Sequence, residues 1–200
     1  MYGDEKRAET IISTAVFAAL ITVGGWLSIP LFAVPFTLQT LFVILAAAFM
    51  KERSVLPVLL YAAAGLLGLP VFHNGAAGIG VLFGPTGGFI LGFIPAALIA
   101  GFLFGRRMYF AAVISAILII DICGMVWFMI TADASLASAF TACVLPYIPG
   151  DILKGAAAVA SCSVNSLLSG APIVILRDIN DYRLCPNILL KKQNMLQMYQ

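Results

Sequence analysis

The sequence predicts an all-α integral membrane protein, a bundle of six transmembrane helices. Its 200 residues are 62% hydrophobic and 10% charged, and the mean hydropathy of +1.06 implies more apolar surface than a soluble domain of this size can bury. The apolar residues form continuous runs rather than short alternating strands, and a spanning helix satisfies its own backbone hydrogen bonds, so helices are favoured over a barrel. We expect a single membrane domain over residues 1–200, with the bundle at about 8–168.

The first three predicted helices follow one another closely. The first covers about Ala8–Leu27. A charged start followed by an apolar run is also typical of a signal peptide, but no clean small-x-small cleavage pattern follows, so we interpret the segment as a retained helix. The second covers about Thr37–Met50, which is short for a full span unless residues 31–36 also lie at membrane depth. The third covers Ser54–Leu69, where glycine and proline end it.

A glycine-dense connection follows, from His73 to Gly88. Its glycines permit positive φ and close approach of the backbone to a ligand or a neighbouring helix. No GxxxxGK[ST] or GxGxxG pattern occurs, so a nucleotide-binding loop is not indicated. The apolar residues among the glycines predict a loop that folds onto the protein.

Three more helices are predicted in the second half of the chain, at about Phe89–Phe104, Met108–Ile130 and Asp151–Leu168. The last is expected to begin after Pro149 and Gly150, and the mildly polar residues 131–143 before it leave room for a short helix. Residues 169–200 are predicted to form a cytoplasmic tail, and its sequence does not decide between an interfacial helix and disorder.

The basic residues test the count of six spans, which places both termini on one side of the membrane. The N-terminus, the second and fourth loops and the tail then share one face, which the positive-inside rule makes cytoplasmic. Lys154, near the start of the sixth helix, is alone on the opposite side. The other ten of the eleven basic residues lie in the cytoplasmic segments: Lys6, Arg7, Lys51, Arg53, Arg106, Arg107, Arg177, Arg183, Lys191 and Lys192.

Asp151 and Lys154 form the strongest candidate binding constellation. Their i, i+3 spacing puts them on one face of a helix, so they can touch each other or address one ligand together. In one interpretation the two residues form only a local ion pair, in which the helix dipole stabilises Asp151 at the start of the helix. This does not explain Lys154, because the dipole disfavours a lysine in the first turn. In the alternative, Lys154 donates to an anionic or carbonyl group and Asp151 accepts from a ligand N–H or hydroxyl. Asn74 is expected on the same outer side, where Phe36, Tyr147 and Trp127 would complete a largely apolar pocket.

Two further features each allow two interpretations. Ala15 and Ala19 form a small-xxx-small pair on the first helix, which permits close approach of another helix, either within this chain or from a partner. Asp121 lies near the middle of the fifth helix; a carboxyl at that depth indicates either a functional group or a protonated, hydrogen-bonded structural residue.

Enzyme and metal motifs find no support in the sequence. The single histidine, His73, allows no HExxH motif and makes no metal site by itself, and no GxSxG elbow is present. A net charge of +2 is too small to indicate nucleic acid, and without ATP-binding motifs any driven transport needs a source of energy other than ATP hydrolysis by this chain. The cysteines show neither a CxxC pair nor zinc-like spacing and are interpreted as isolated small residues: Cys123, Cys143, Cys162 and Cys185.

Several motifs, in order and at family-like intervals, resemble the BioY family, the biotin-specific S components of energy-coupling-factor transporters. Asp121 lies outside them. They occur at residues 34–40 (VPFTLQT), 68–72 (GLPVF) and 84–88 (GPTGG), at Gly124 with Trp127, and at 145–154 (LPYIPGDILK). The resemblance runs from about Ala8 to Leu168.

The resemblance implies a non-enzymatic S component with six helices in the bacterial cytoplasmic membrane. It would capture biotin near the extracytoplasmic face and work with a membrane coupling protein (the T component) and two cytoplasmic ATPases. The family's binding residues correspond to Asn74, Asp151 and Lys154, and the surface that docks the coupling protein to Ala15 and Ala19. A self-sufficient secondary transporter, a structural subunit and an S component for another vitamin-like solute are the alternatives.

Overall fold

A computed structural model describes residues 2–29 and 34–170, with side chains described over residues 4–29 and 34–161. A short antiparallel ribbon, β1 (Ser28–Ile29) and β2 (Phe36–Thr37), joins the first two helices. The described residues up to 162 form one compact unit; a second unit starts at Ser163, and its described part is the end of the last helix. The α-helices of the described residues are α1 Tyr2–Trp26, α2 Gln39–Met50, α3 Val55–Leu66, α4 Ile79–Phe83, α5 Gly87–Gly105, α6 Tyr109–Ala132, α7 Leu136–Cys143 and α8 Ile148–Gly170.

Three of the described helices, α1, α5 and α6, are long and apolar enough to cross a membrane. A fourth span results if α7 and α8, which are bent by 51° at a short break, are counted as one broken span. The helices α2 and α3 have 12 residues each, about 18 Å at 1.5 Å per residue, against a hydrocarbon thickness of about 30 Å. Six helices correspond in position to the six predicted spans: α1, α2, α3, α5, α6 and α8. By length and composition alone, no more than four of the described segments could cross a membrane.

Helix boundaries differ from the prediction where local backbone chemistry overrides hydropathy. Helix α1 starts at Tyr2 rather than Ala8, because the acidic residues Asp4 and Glu5 in its first turn are attracted to the positive end of the helix dipole and stabilise the helix start. Helix α8 begins at Ile148 rather than after Gly150, since Pro149 lies in the first turn, where its missing N–H costs nothing. Helix α3 ends at Leu66 because Gly68 adopts a φ of 94°.

The segment before α2 is only partly described. Residues 31–33 of the stretch expected at membrane depth lie outside the described residues. In the rest of that stretch, Phe36 begins β2 and pairs with Ile29, while Thr37 pairs with Ser28. Because Thr37 is held in the ribbon, α2 starts at Gln39 rather than at Thr37.

The glycine-dense loop folds onto the protein as predicted. It contains a 3-10 turn at His73–Gly75 and the short helix α4. The Phe72 ring is fully buried against Gly65, where a Cβ would lie 2.1 Å from the ring, so no larger residue fits. The Gly78 N–H donates to the Gly65 carbonyl at 2.8 Å, which ties the loop to α3.

Small residues bring α5 and α6 together. A Cβ at Gly88 would lie 2.2 Å from the Trp127 Cβ, and the buried faces of these helices are otherwise rich in alanine. Close backbone approach is the usual means of helix association in lipid. The outer face of α6 carries a stripe of exposed apolar side chains at four-residue intervals: Ile114, Leu118, Ile122, Val126 and Ile130. Such a face is stable against acyl chains but not against water.

The described charges separate towards the two ends of the bundle. The Arg53 guanidinium donates to Thr10 near the start of α1. A Cβ at Gly101, near the end of α5, would meet the Lys51 carbonyl at 2.1 Å. The exposed basic groups at 6–7, 51–53 and 106–107 therefore lie at one end. Lys154 is the one basic residue among the described side chains that lies at the other end.

Candidate ligand-binding site

A pocket opens at the end of the bundle away from the exposed basic residues. It lies between the segment that enters α2, the start of α5, the middle of α6 and the start of α8, and holds about 560 Å³ of empty space, its open mouth included. The apolar lining includes Val34, Phe89, Ile90, Phe93 and Ile120, and the polar lining comprises Thr37, Gln39, Thr40, His73, Thr86, Asp121, Asp151 and Lys154, with Tyr147 and Cys143 beside them.

Lys154 is the buried cation of this pocket. Its Nζ donates to Asp151 Oδ1 at 3.0 Å, and the two side chains are only 7% and 10% exposed. The same Nζ lies 4.1 Å from the centroid of the Phe36 ring, close enough for a cation–π attraction. Only one of the ammonium's three donors has a protein acceptor among the described residues, so Lys154 keeps donor capacity for a ligand.

Phe36, which was expected in the pocket, is not among its lining residues, but its ring packs against two residues that are, Tyr147 and Lys154. Phe36 and Tyr147 stack with centroids 6.0 Å apart and an interplanar angle of 5°, and the Tyr147 hydroxyl donates to the Val34 carbonyl. A Cβ at Gly150 would lie 2.3 Å from the Phe36 ring. Glycine at this position therefore lets Phe36 lie against the first turn of α8, directly beside Lys154.

The remaining polar wall comes from residues that lie far apart in the chain. The buried Gln39 donates from Nε2 to the Tyr61 hydroxyl, which fixes its amide at the entrance to α2. His73 contributes a half-buried imidazole, and burial lowers the pKa of His73 below its usual value of 6.5. The threonines add small hydroxyls, so the pocket offers a few polar groups in a mainly apolar setting, as small-molecule sites commonly do.

The predicted site residues are only partly brought together. Asp151 and Lys154 pair in the pocket, as their spacing predicted. Asn74 does not line it: Asn74 is exposed, adopts a φ of 54°, and its Oδ1 accepts a hydrogen bond from the Ser28 hydroxyl. Its neighbour His73 lines the pocket instead. Trp127 was expected in the pocket, but it donates from Nε1 to the Gly84 carbonyl at 3.1 Å and is not among the lining residues.

The alanine pair on α1 points away from the bundle. Ala15 and Ala19 are exposed, whereas Ala18 and Ile21 bury the opposite face. Exposed Ile12 and Val16 flank the pair. Within the described residues, packing inside this chain therefore does not account for the two small side chains.

Sequence reasoning missed Gln39, Thr86, His73 and Val34 as pocket residues. Gln39 had a usable signal, since an amide at the start of an apolar helix is costly unless it is paired. The others are ordinary loop residues whose positions depend on long-range folding. Over the described residues, no group of three or more His, Cys, Asp or Glu could hold a metal ion.

Fold and site together define an all-helical membrane protein that encloses a small-molecule pocket with a buried cation at one end. The family model of the BioY family matches residues 3–169. The chain belongs to the BioY family.

Three similar proteins show how far the likeness extends. A probable biotin transporter BioY of Pyrococcus horikoshii is 38% identical over 154 residues, which cover 76% of this chain and 93% of that protein. A biotin transporter BioY of Thermotoga maritima is 48% identical over 102 residues, spanning 50% of this chain and 60% of that protein. The crystal structure of the S-component for biotin from an ECF-type ABC transporter matches with a TM-score of 0.72 and 24% identity, over 79% of this chain and 90% of that one, and shows the same fold.

Proposed function

We propose that this chain captures biotin in the pocket beside Lys154 and Asp151, as the substrate-binding subunit of an energy-coupling-factor uptake transporter. The observation that carries the proposal is the buried Lys154 ammonium, 3.0 Å from Asp151 and 4.1 Å from the Phe36 ring, at the end opposite the exposed basic residues. Relatives covering most of this chain are named biotin transporters, and a solved structure of the same fold is titled as a biotin S-component.

The pocket suits the chemistry of biotin. Biotin has a carboxylate, an apolar chain and a ureido ring with two N–H donors and one carbonyl. Lys154 can donate to the carboxylate or the ureido carbonyl, Asp151 can accept from N–H, and the rings of Phe89 and Phe93 can cover the apolar part. Asn74 remains a proposed contact, which needs the loop carrying it to turn towards the pocket.

Titration calorimetry of the purified protein with biotin tests the function. We expect submicromolar to micromolar binding, and affinity losses of about 1–3 kcal/mol for Lys154→Ala and for Asp151→Asn, because each removes a charged hydrogen-bond partner from a dry pocket. The exposed Lys6→Ala and Asp133→Asn carry the same chemical changes outside the pocket and are expected to leave binding unchanged. Absence of biotin binding by the wild type would refute the function, and unchanged affinity in both pocket variants would refute the site.

We further propose that the exposed face around Ala15 and Ala19 docks the membrane coupling protein, which works with two cytoplasmic ATPases. Leucine at either position would hold a partner helix away from the α1 backbone. We expect Ala15→Leu and Ala19→Leu to abolish uptake with the full transporter and leave biotin affinity intact, and Ala63→Leu, at an exposed alanine on α3, to do neither. Loss of biotin binding in the α1 variants would instead indicate core packing.

The proposed orientation puts the exposed basic end and both termini in the cytoplasm of a bacterium and the pocket at the outer face. Uptake into vesicles distinguishes this function from a self-sufficient secondary transporter. We expect no accumulation of biotin by the chain alone under an ion gradient, and accumulation with ATP once the coupling protein and ATPases are added.

A further inference from the structure

Asp121 is the pocket carboxyl that the proposed function does not yet use. It lies near the middle of α6 and lines the pocket together with Asp151 and Lys154. Asp151 bonds Lys154 at 3.0 Å, whereas Asp121 has no hydrogen-bond or ion-pair partner among the described side chains. Its half-buried carboxyl therefore keeps its hydrogen-bonding capacity.

Asp121 also borders a second space, a wide groove between α6 and α8. The groove and the pocket share two lining residues, Asp121 and Asp151, and the rest of the groove is lined by apolar and small side chains such as Ile117, Phe140 and Ile152. A carboxyl gains nothing from such a surface. Apart from Asp151, which borders both spaces, the other polar side chains that can bind a ligand in contact with Asp121 line the pocket and not the groove.

The remaining structural roles for Asp121 fail on the same geometry. Neutralising Lys154 is already the task of Asp151, which is the nearer carboxyl at 3.0 Å. Asp121 makes no side-chain hydrogen bond to another helix among the described residues. Since carboxyls inside spanning helices are costly and are retained chiefly for function, a ligand is the partner that the geometry leaves.

We propose that Asp121 is a third ligand-contacting residue, whose carboxyl accepts a hydrogen bond from an N–H donor of the bound molecule. The inference rests on the proposed function, in which the two ureido N–H groups of biotin are the donors. Asp151 and Asp121 then approach the ureido ring from α8 and α6, and they favour ligands with two N–H groups over ligands with one.

Calorimetry with biotin tests this contact. We expect Asp121→Asn to raise the Kd about tenfold or more, because one of the two carboxyl oxygens that can accept from the ligand is replaced by an NH2 group, which only donates. Asp133→Asn makes the same change at the exposed end of α6, where asparagine tolerates the left-handed backbone, and should not alter the Kd. Biotin methylated at one or the other ureido nitrogen identifies the donor: for one of the two analogues, wild type and Asp121→Asn should bind equally.

Stability without ligand separates a ligand contact from a structural role. Asp121→Leu removes a costly carboxyl from a spanning helix, so its unfolding temperature without biotin should equal or exceed that of the wild type, while a given concentration of biotin raises it less. The assignment of Asp121 is overturned if the Asp121 variants are less stable than the wild type but bind biotin equally well. It is also overturned if the wild type binds both methylated analogues more tightly than Asp121→Asn does, by the same factor as for biotin. In those cases wild-type biotin binding still stands, so the failure is distinct from failure of the proposed function.

Discussion

Replacing the buried ion pair in two steps separates its role in stability from its role in binding. Lys154→Met keeps an apolar stem of similar length but leaves the Asp151 carboxylate, 10% exposed, without its partner 3.0 Å away. Breaking a buried pair from one side costs about 3–5 kcal/mol, because an uncompensated charge remains. The lost attraction between the Lys154 ammonium and the Phe36 ring, 4.1 Å apart, adds about 0.5–2 kcal/mol.

The double variant Lys154→Met with Asp151→Leu removes both charges. Replacing a buried pair by apolar residues of similar volume is often neutral or stabilising by about 1–4 kcal/mol. We therefore expect the single variant to unfold at a clearly lower temperature than the wild type and the double variant to recover most of that loss. Thermal unfolding in detergent micelles, followed by circular dichroism, measures both.

Biotin binding should respond differently from stability. If Lys154 and Asp151 contact the ligand, neither variant binds biotin with more than a small fraction of wild-type affinity, although the double variant is stable. A double variant that is stable and still binds biotin like the wild type would show that the pair only holds itself in place. A single variant as stable as the wild type would contradict the desolvation on which the reasoning depends.

Two further predictions concern the neighbours of the pair. Gly150→Ala would place a Cβ 2.3 Å from the Phe36 ring, so the ring must move away from Lys154, and biotin affinity should fall about tenfold, near 1.4 kcal/mol. As a control, Gly80→Ala would place a Cβ where no atom lies within 4 Å, and it should not affect binding. Burial lowers the pKa of His73 below 6.5, so as the pH falls the imidazole is protonated in the unfolded chain before it is protonated in the folded one. The unfolding temperature of the wild type should therefore decrease as the pH is lowered from about 6.5, and that of His73→Gln should decrease less; identical pH profiles would contradict this.

Features set by local spacing could be predicted from the sequence. The contact between Asp151 and Lys154 follows from their i, i+3 spacing on one helix, and the position of Lys154 at the opposite end follows from the distribution of the other basic residues. The family-like motifs predicted the fold class and family, which the structure and the comparisons confirm. Each of these inferences needed only residues close together in the chain or counted along it.

Features set by long-range contacts could not be predicted. The bond from the Tyr147 hydroxyl to the Val34 carbonyl joins residues 113 positions apart, and no local pattern encodes it. Asn74 was expected beside the pocket, yet the structure places its side chain on Ser28, because the backbone of the 3-10 turn sets its direction. Hydropathy likewise could not show that Thr37 is held in a ribbon and leaves α2 with 12 residues.

The start of α8 meets three requirements within six residues, 149–154. Pro149 can start the helix without a wasted N–H, Gly150 leaves room for the Phe36 ring, and Asp151 holds the Lys154 ammonium against that ring. Lys154 lies in the second turn, towards the positive end of the helix dipole, and the carboxylate and the aromatic face stabilise its charge there. A cation held this way is desolvated and directed before any ligand arrives, and less ordering is then needed on binding. The same arrangement explains why a larger residue at 150 should affect binding without contacting the ligand.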